Sequence, residues 1–119
     1  MGLNILIVED EAVIGLLLGE VLAEMGHQVC GIAATATEAI AVATMHRPDL
    51  MIVDINLAGK NGSADVADLR AQSPTPCLLV GGDENILEVF AGRGDALVKR
   101  YQPQQSEIAI MRELIAALA

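Results

Sequence analysis

Four ionisable residues stand where aliphatic runs stop. Glu9 and Asp10 follow LNILIV at residues 3–8, Asp54 follows LMIV at 50–53, and Lys99 closes the short run at 95–98. Each has an ordinary structural explanation by itself. Acids at 9–11 favour the first turn of a helix through its dipole, Asp54 suits a turn, and Lys99 suits a solvated strand end. Gathered at one edge, however, carboxylates repel one another unless a cation is present. Hard oxygen ligands suit a divalent ion, and Mg²⁺ is typically held by one or two carboxylates with waters and phosphate oxygens. A nearby lysine neutralises a phosphoryl group, and a carboxylate beside the metal can accept that group as an acyl phosphate. Together these residue types specify metal-assisted phosphoryl transfer to Asp54.

That reading requires elements that bring the four residues to one place. Residues 3–8 read as a buried strand. A helix follows, with Ile14, Leu17, Leu18, Val21, Leu22 and Met25 at helical spacing and Gly26 as its stop. Residues 28–34 give a second strand, and Thr35 with Glu38 has the spacing of a capping box, opening a helix through about His46 that Pro48 closes. Leu50–Val53 is a third strand. A helix over about 63–72 precedes the Ser73-Pro74-Thr75-Pro76 break, Cys77–Val80 is a fourth strand, and Gly81-Gly82 leads to a helix near 84–91. Residues 95–98 are the fifth strand, and a helix from about Pro103 to Leu118 ends the chain.

Strict alternation predicts an α/β fold with parallel strands, right-handed crossovers and helices on both faces. The order expected is the flavodoxin-like 2-1-3-4-5, with ligands gathered at the carboxyl ends of the strands. Residues 1–119 are expected to form a single domain without a further output domain, since no repeat, linker or low-complexity tract divides them.

Composition limits the partners. The chain is 53% hydrophobic with one Phe, one Tyr and no Trp, so its core must be aliphatic, as in sheets covered on both faces. A formal net charge of −9 argues against binding a phosphate backbone. No apolar run reaches membrane-spanning length and the first residues lack a basic start, so a cytoplasmic location is expected. Cys30 and Cys77 match no metal or redox spacing and read as small buried hydrophobes.

With these elements in place, the chain from Leu3 to Leu118 resembles a response-regulator receiver domain of two-component signalling, of the single-domain, chemotaxis-regulator-like kind. The resemblance is carried by LNILIVEDE, PDLMIVDINLAGKNG and ALVK. It implies Asp54 as phosphoacceptor, Asp10 as a direct Mg²⁺ ligand and Glu9 as second acid, acting directly or through water. It also implies that the main-chain carbonyl of Asn56 completes the metal site and that Lys99 pairs with phosphoryl oxygens. The phosphoryl donor implied is a histidine kinase or histidine phosphotransfer protein. Chemistry is then confined to Mg²⁺-dependent phosphorylation and dephosphorylation of the domain's own Asp54, without enzymatic turnover of a separate substrate. Output goes to an unidentified downstream protein.

Three positions depart from that family's pattern. Gly81 stands where a Ser or Thr hydroxyl usually meets the phosphoryl group, and Ala96 replaces the usual aromatic residue. Arg100 replaces the proline after the lysine, and a cis bond before a non-proline residue costs about 2.5–4 kcal/mol, so a trans bond is expected. The usual hydroxyl-to-aromatic switch is therefore missing both partners. The first helix carries a second apolar side, with Ala12, Val13, Leu16, Gly19 and Ala23, where solvent-facing charge is the norm. Such a patch suits a docking surface, and the resemblance makes kinase or phosphotransfer helices its occupant.

Two other functional classes remain open. One is an interaction module that keeps the fold but works without phosphorylation, which the residues at 81, 96 and 100 favour and the intact acids and Lys99 disfavour. The other is an aspartate-nucleophile phosphatase, suggested by Asp54-Ile55-Asn56 and weakened by Asn56 where that class has a second aspartate.

Overall fold

The computed structural model describes residues 2–54, 71–72, 75–80, 86–90 and 96–100. Their strands are β1 (Asn4–Val8), β2 (Gln28–Ala33), β3 (Leu50–Asp54), β4 (Cys77–Val80), β5 (Ile86–Phe90) and β6 (Ala96–Arg100). Helix α1 spans Ala12–Glu24 and α2 spans Ala36–His46. Residues 71 and 72 are helical, at the end of the helix expected over 63–72. The expected closing helix and Asn56 lie outside the described residues.

The sheet order is β2-β1-β3-β4-β5-β6. The first four strands are all parallel, in the expected order. Alternation along β1 and β3 divides the core between the two faces. Ile5, Ile7, Leu50 and Ile52 pack with Leu18 and Leu22 of α1, while Leu6, Val8, Met51 and Val53 pack with Ala39 and Ala43 of α2. The two helices thus cover opposite faces, as doubly wound connections require. The continuous aliphatic runs of β1 and β3 follow, because both parities of each strand are buried.

Local chemistry sets the helix ends. Thr35 Oγ1 accepts the Glu38 N–H at 3.1 Å, and Glu38 Oε2 accepts the Ala34 N–H at 2.8 Å, so the paired cap reaches one residue further back than the standard box. After α2 the chain turns on Arg47, at φ 47° and ψ 64°, before Pro48 starts the approach to β3. Gly26 stops α1 at φ 91°, where a side chain is strongly disfavoured.

Two expectations are corrected. Residues 86–90 form β5, antiparallel to β4, instead of lying in a helix over 84–91. The run ILEVF is short, β-branched and aromatic, and Gly81-Gly82 and Gly92 bracket it closely, conditions under which a brief apolar segment settles as a strand. Consequently the strand ending the 95–100 region, β6, pairs antiparallel with β5 and is separated from β4. The second correction concerns α1. Ile14 and Leu17, expected in the core stripe, are exposed, and the stripe is narrowed to Gly15, Leu18 and Leu22 with Val21 and Met25 partly covered.

Candidate functional site

The carboxyl ends of β1 and β3 place Glu9 beside Asp54, with Asp10 one residue further along the chain. Val8 pairs with Val53, so the next register position of each strand holds Glu9 and Asp54 side by side. Asp54 is itself paired with Val80 of β4. Glu9 is buried, with 4% of its surface exposed, and its N–H donates to the Ala33 carbonyl at 2.8 Å, which fastens the end of β1 to the end of β2. Its Oε1 accepts the Glu11 N–H at 3.1 Å, folding the carboxylate back over the bend that leads into α1. Asp10 is exposed at that bend.

This arrangement explains why the helix starts where it does. Glu11 is its N-cap but makes no side-chain cap hydrogen bond, and the first turn from Ala12 contains no acid, so the negative charge at this helix end comes from Asp10 and Glu11 just outside it.

The register continues toward Lys99. Leu79 pairs with Glu88, which aligns Val80 with Leu87, and Leu87 pairs with Lys99. Asp54, Val80, Leu87 and Lys99 thus fall in one row across the sheet. Because β5 intervenes, Lys99 stands three strands from Asp54, about 14 Å along the sheet at the usual spacing between strands. The order expected from the sequence places that lysine one strand nearer. No cis peptide occurs among the described residues, and the Lys99–Arg100 bond is trans as expected. Ala96 and Arg100 are the first and last residues of β6, while Gly81 and Asn56 lie outside the described residues.

Among the described residues, no group of three or more His, Cys, Asp or Glu gathers closely enough to hold a metal ion. The described carboxylates at this edge are Glu9 and Asp10, with Asp54 placed through its backbone. Two successive acids at the end of β1, next to a strand-end aspartate, are the donor types that suit a hard divalent ion such as Mg²⁺. A shallow hollow of about 560 Å³, lined by Arg47, Asp49, Gln72 and Thr75 among others, lies at the amino ends of β3 and β4, the edge opposite this site.

Two further features bear on function. On α1, Val13 is 70% exposed and Leu16 is 62% exposed, and Leu17 joins them at 55%, so the second apolar side of that helix is an open surface. Gly15 was legible only as a glycine inside a helix, a residue that costs about 1 kcal/mol relative to alanine there. Its position against Ile32 and Glu9 required the folded chain.

Neither cysteine forms a disulfide; Cys77 is buried and Cys30 partly so, as expected of small hydrophobes. Among the described residues, no helix is long and apolar enough to cross a membrane.

Comparison with known proteins agrees with the parallel α/β core. The chain is 39% identical over 82 residues to the phyllosphere-induced regulator PhyR of Methylorubrum extorquens, which covers 67% of this chain and 31% of that protein. It is 33% identical over 77 residues to the transcriptional regulatory protein PdtaR of Mycobacterium tuberculosis, covering 65% of this chain and 38% of the relative. The chain therefore spans about a third of the length of these relatives. Among solved structures, the anti-anti-sigma factor PhyR of Bartonella quintana in complex with the anti-sigma factor NepR superposes with a TM-score of 0.61 at 26% identity, covering 98% of this chain and 47% of that one. The family model described as the response regulator receiver domain matches residues 5–111. With a parallel, doubly wound core and acids at its carboxyl edge, the chain belongs to the response regulator receiver domains of two-component signal transduction.

Proposed function

We propose that this receiver accepts a phosphoryl group on Asp54 from a histidine kinase or histidine phosphotransfer protein, and transmits the signal by binding another protein. The observation that carries this reading is the pairing of Val8 with Val53, which sets Glu9 next to Asp54 at the carboxyl edge. Glu9 is buried there, and acids are rarely buried without a partner or a role.

Glu9, Asp10, Asp54 and the Asn56 carbonyl would hold Mg²⁺, which when bound neutralises charge on the phosphoryl oxygens. An Asp54 carboxylate oxygen attacks the phosphorus of a phosphohistidine. The new O–P bond forms as the P–N bond breaks, and the imidazole leaves with that electron pair and takes up a proton. Lys99 supplies the positive charge that pairs with phosphoryl oxygens. Attack by water on the acyl phosphate later releases phosphate and restores the carboxylate, so no separate substrate is turned over. A cytoplasmic location suits this exchange.

Gly81 offers no hydroxyl and Ala96 no ring, so the signal leaves by another route. The sequence Gly81-Gly82 follows β4 directly, and glycine main-chain N–H groups, unshielded by a β-carbon, are suited to meeting phosphoryl oxygens. The Bartonella relative was crystallised with a protein partner, and a protein partner is the output proposed for this chain also.

A second reading has one specific observation in its favour. Insertion of β5 between β4 and β6 sets the strand of Lys99 farther from β3, which suits an interaction module that works without phosphorylation. Incubation with a small-molecule phosphodonor and Mg²⁺, followed by intact mass, separates the two. A phosphoryl adduct that is lost in Asp54→Ala supports phosphorylation, whereas no adduct with any donor supports the second reading.

A further inference from the structure

We infer that Gly15 is a positioning residue for Glu9, and that the missing side chain at position 15 sets the affinity of the acidic edge for its cation. The inference rests on the proposed role of Glu9 in holding Mg²⁺.

Gly15 lies on the buried stripe of α1, one turn before Leu18 and two before Leu22. A β-carbon there would stand 2.9 Å from Ile32 Cγ2, 3.6 Å from Ile32 Cδ1 and 3.9 Å from Glu9 Cβ. Carbon atoms prefer about 3.5–4.0 Å, so the first distance cannot be kept. Ile32 Cγ2 hangs directly from a β-branched carbon with a stiff χ1. Ile32 is 40% exposed, and where it keeps its rotamer the strain passes to the backbone of β2 or α1.

Both routes lead to Glu9. Ile32 pairs with Ile7 on β1, and the next residue, Ala33, accepts the Glu9 N–H at 2.8 Å. On the helix side, the Gly15 N–H donates to the Glu11 carbonyl at 3.0 Å, and the Glu11 N–H holds Glu9 Oε1 at 3.1 Å. Moving α1 away from β2 thus pulls on both attachments of Glu9. Gly19, one turn later, provides the internal contrast, because its β-carbon would meet Val29 Cγ2 at 4.0 Å, an ordinary contact. Alanine at either position gains similar helix propensity, but only position 15 reaches the site.

The test is a titration of the full chain, ¹⁵N-labelled, with Mg²⁺ alone, read by amide shifts, together with exchange of the Glu11 amide in metal-free protein. Gly15→Ala is expected to weaken Mg²⁺ by about tenfold, as loss of supporting structure does at other metal sites, and to speed exchange at Glu11. Gly19→Ala should leave both unchanged, and Gly15→Ala/Ile32→Ala should restore both toward wild type. Equal Mg²⁺ affinity and equal Glu11 exchange in wild type and Gly15→Ala overturn the inference while leaving the proposed function intact. A wild-type chain that binds no Mg²⁺ overturns both. If Gly15→Ala does not fold, Gly15→Val/Ile32→Ala is compared with Gly15→Ala/Ile32→Ala. The larger side chain is expected to bind Mg²⁺ more weakly, and equal affinities overturn the inference.

Discussion

Asn4 and Asp49 are joined twice: the Asp49 N–H donates to the Asn4 carbonyl at 2.7 Å, and the Asn4 N–H donates to Asp49 Oδ2 at 2.8 Å. The pair lies immediately before the first register match of the two central strands, Ile5 with Leu50. A slip at that end would carry through to the other, where Glu9 meets Asp54. The clamp therefore fixes from one edge of the sheet the relation that matters at the opposite edge.

Asp49→Ala removes the side-chain half of this clamp and leaves the backbone half. The expected loss of stability is about 1 kcal/mol or less, because the bond is solvent-exposed. Urea unfolding measures it. Labelling of Asp54 by a phosphodonor should be unchanged under conditions where the variant is folded, since the remaining backbone bond and the β1–β3 ladder still hold the register. A large loss of labelling in folded protein would show that the side chain itself sets the register.

Cys30 gives a dependence on alkaline pH. Burial pushes its thiol above the ordinary value of 9.0, partly opposed by a backbone hydrogen bond. The fold therefore favours the protonated thiol, so its contribution to stability is complete below the unfolded pKa and is lost as pH rises through the higher folded value. Stability should fall above about pH 9 more steeply in the wild type than in Cys30→Ala. Matching alkaline profiles for the two proteins would remove Cys30 as the cause.

Glu9→Gln separates charge from shape at the acidic edge. The amide oxygen can still accept the Glu11 N–H, so the bend before α1 is kept. Loss of the negative charge is expected to weaken Mg²⁺ by about tenfold or more and to slow phosphodonor labelling of Asp54 at limiting Mg²⁺. Unchanged Mg²⁺ dependence would take Glu9 out of the cation site.

Much of this architecture was readable before folding, for reasons that differ by element. The bounds of β4 and the end of α2 at His46 were legible because Pro76 and Pro48 mark them and Thr35 opens the helix with its own cap. Glu9, Asp10 and Asp54 were legible as acids ending aliphatic runs, and the parallel pairing of β1 and β3 sets the first of them next to the last. Residues 86–90 were misread because a short apolar segment fits both periods, and only its pairing with β4 decides between them. Ile14 and Leu17 were misread because helical spacing gives the width of an apolar stripe but not how much of it a neighbour covers. Gly15 carried no sequence signal of its purpose, since its closeness to Ile32 arises only when α1 lies on β2.

The exposed side of α1 yields the sharpest separation between chemistry and recognition. Val13 and Leu16 are 70% and 62% exposed, and they sit on the helix that begins at the acidic edge, so a partner covering them would bring its phosphohistidine near Asp54. Leu16→Glu puts a charge on that surface without disturbing Leu18 or Leu22 beneath it, and exposed substitutions of this kind change stability by about 0.5 kcal/mol or less. Labelling by a small-molecule phosphodonor should therefore stay at the wild-type rate, because that donor needs only the site. Transfer from a histidine phosphotransfer protein or kinase should fall by about tenfold or more, the effect of losing a central apolar contact in an interface. Val13→Glu should behave in the same way. If both variants accept phosphate from the protein donor at the wild-type rate, docking uses another surface. If both also lose labelling by the small donor, the helix acts on the site itself and the division between recognition and chemistry fails.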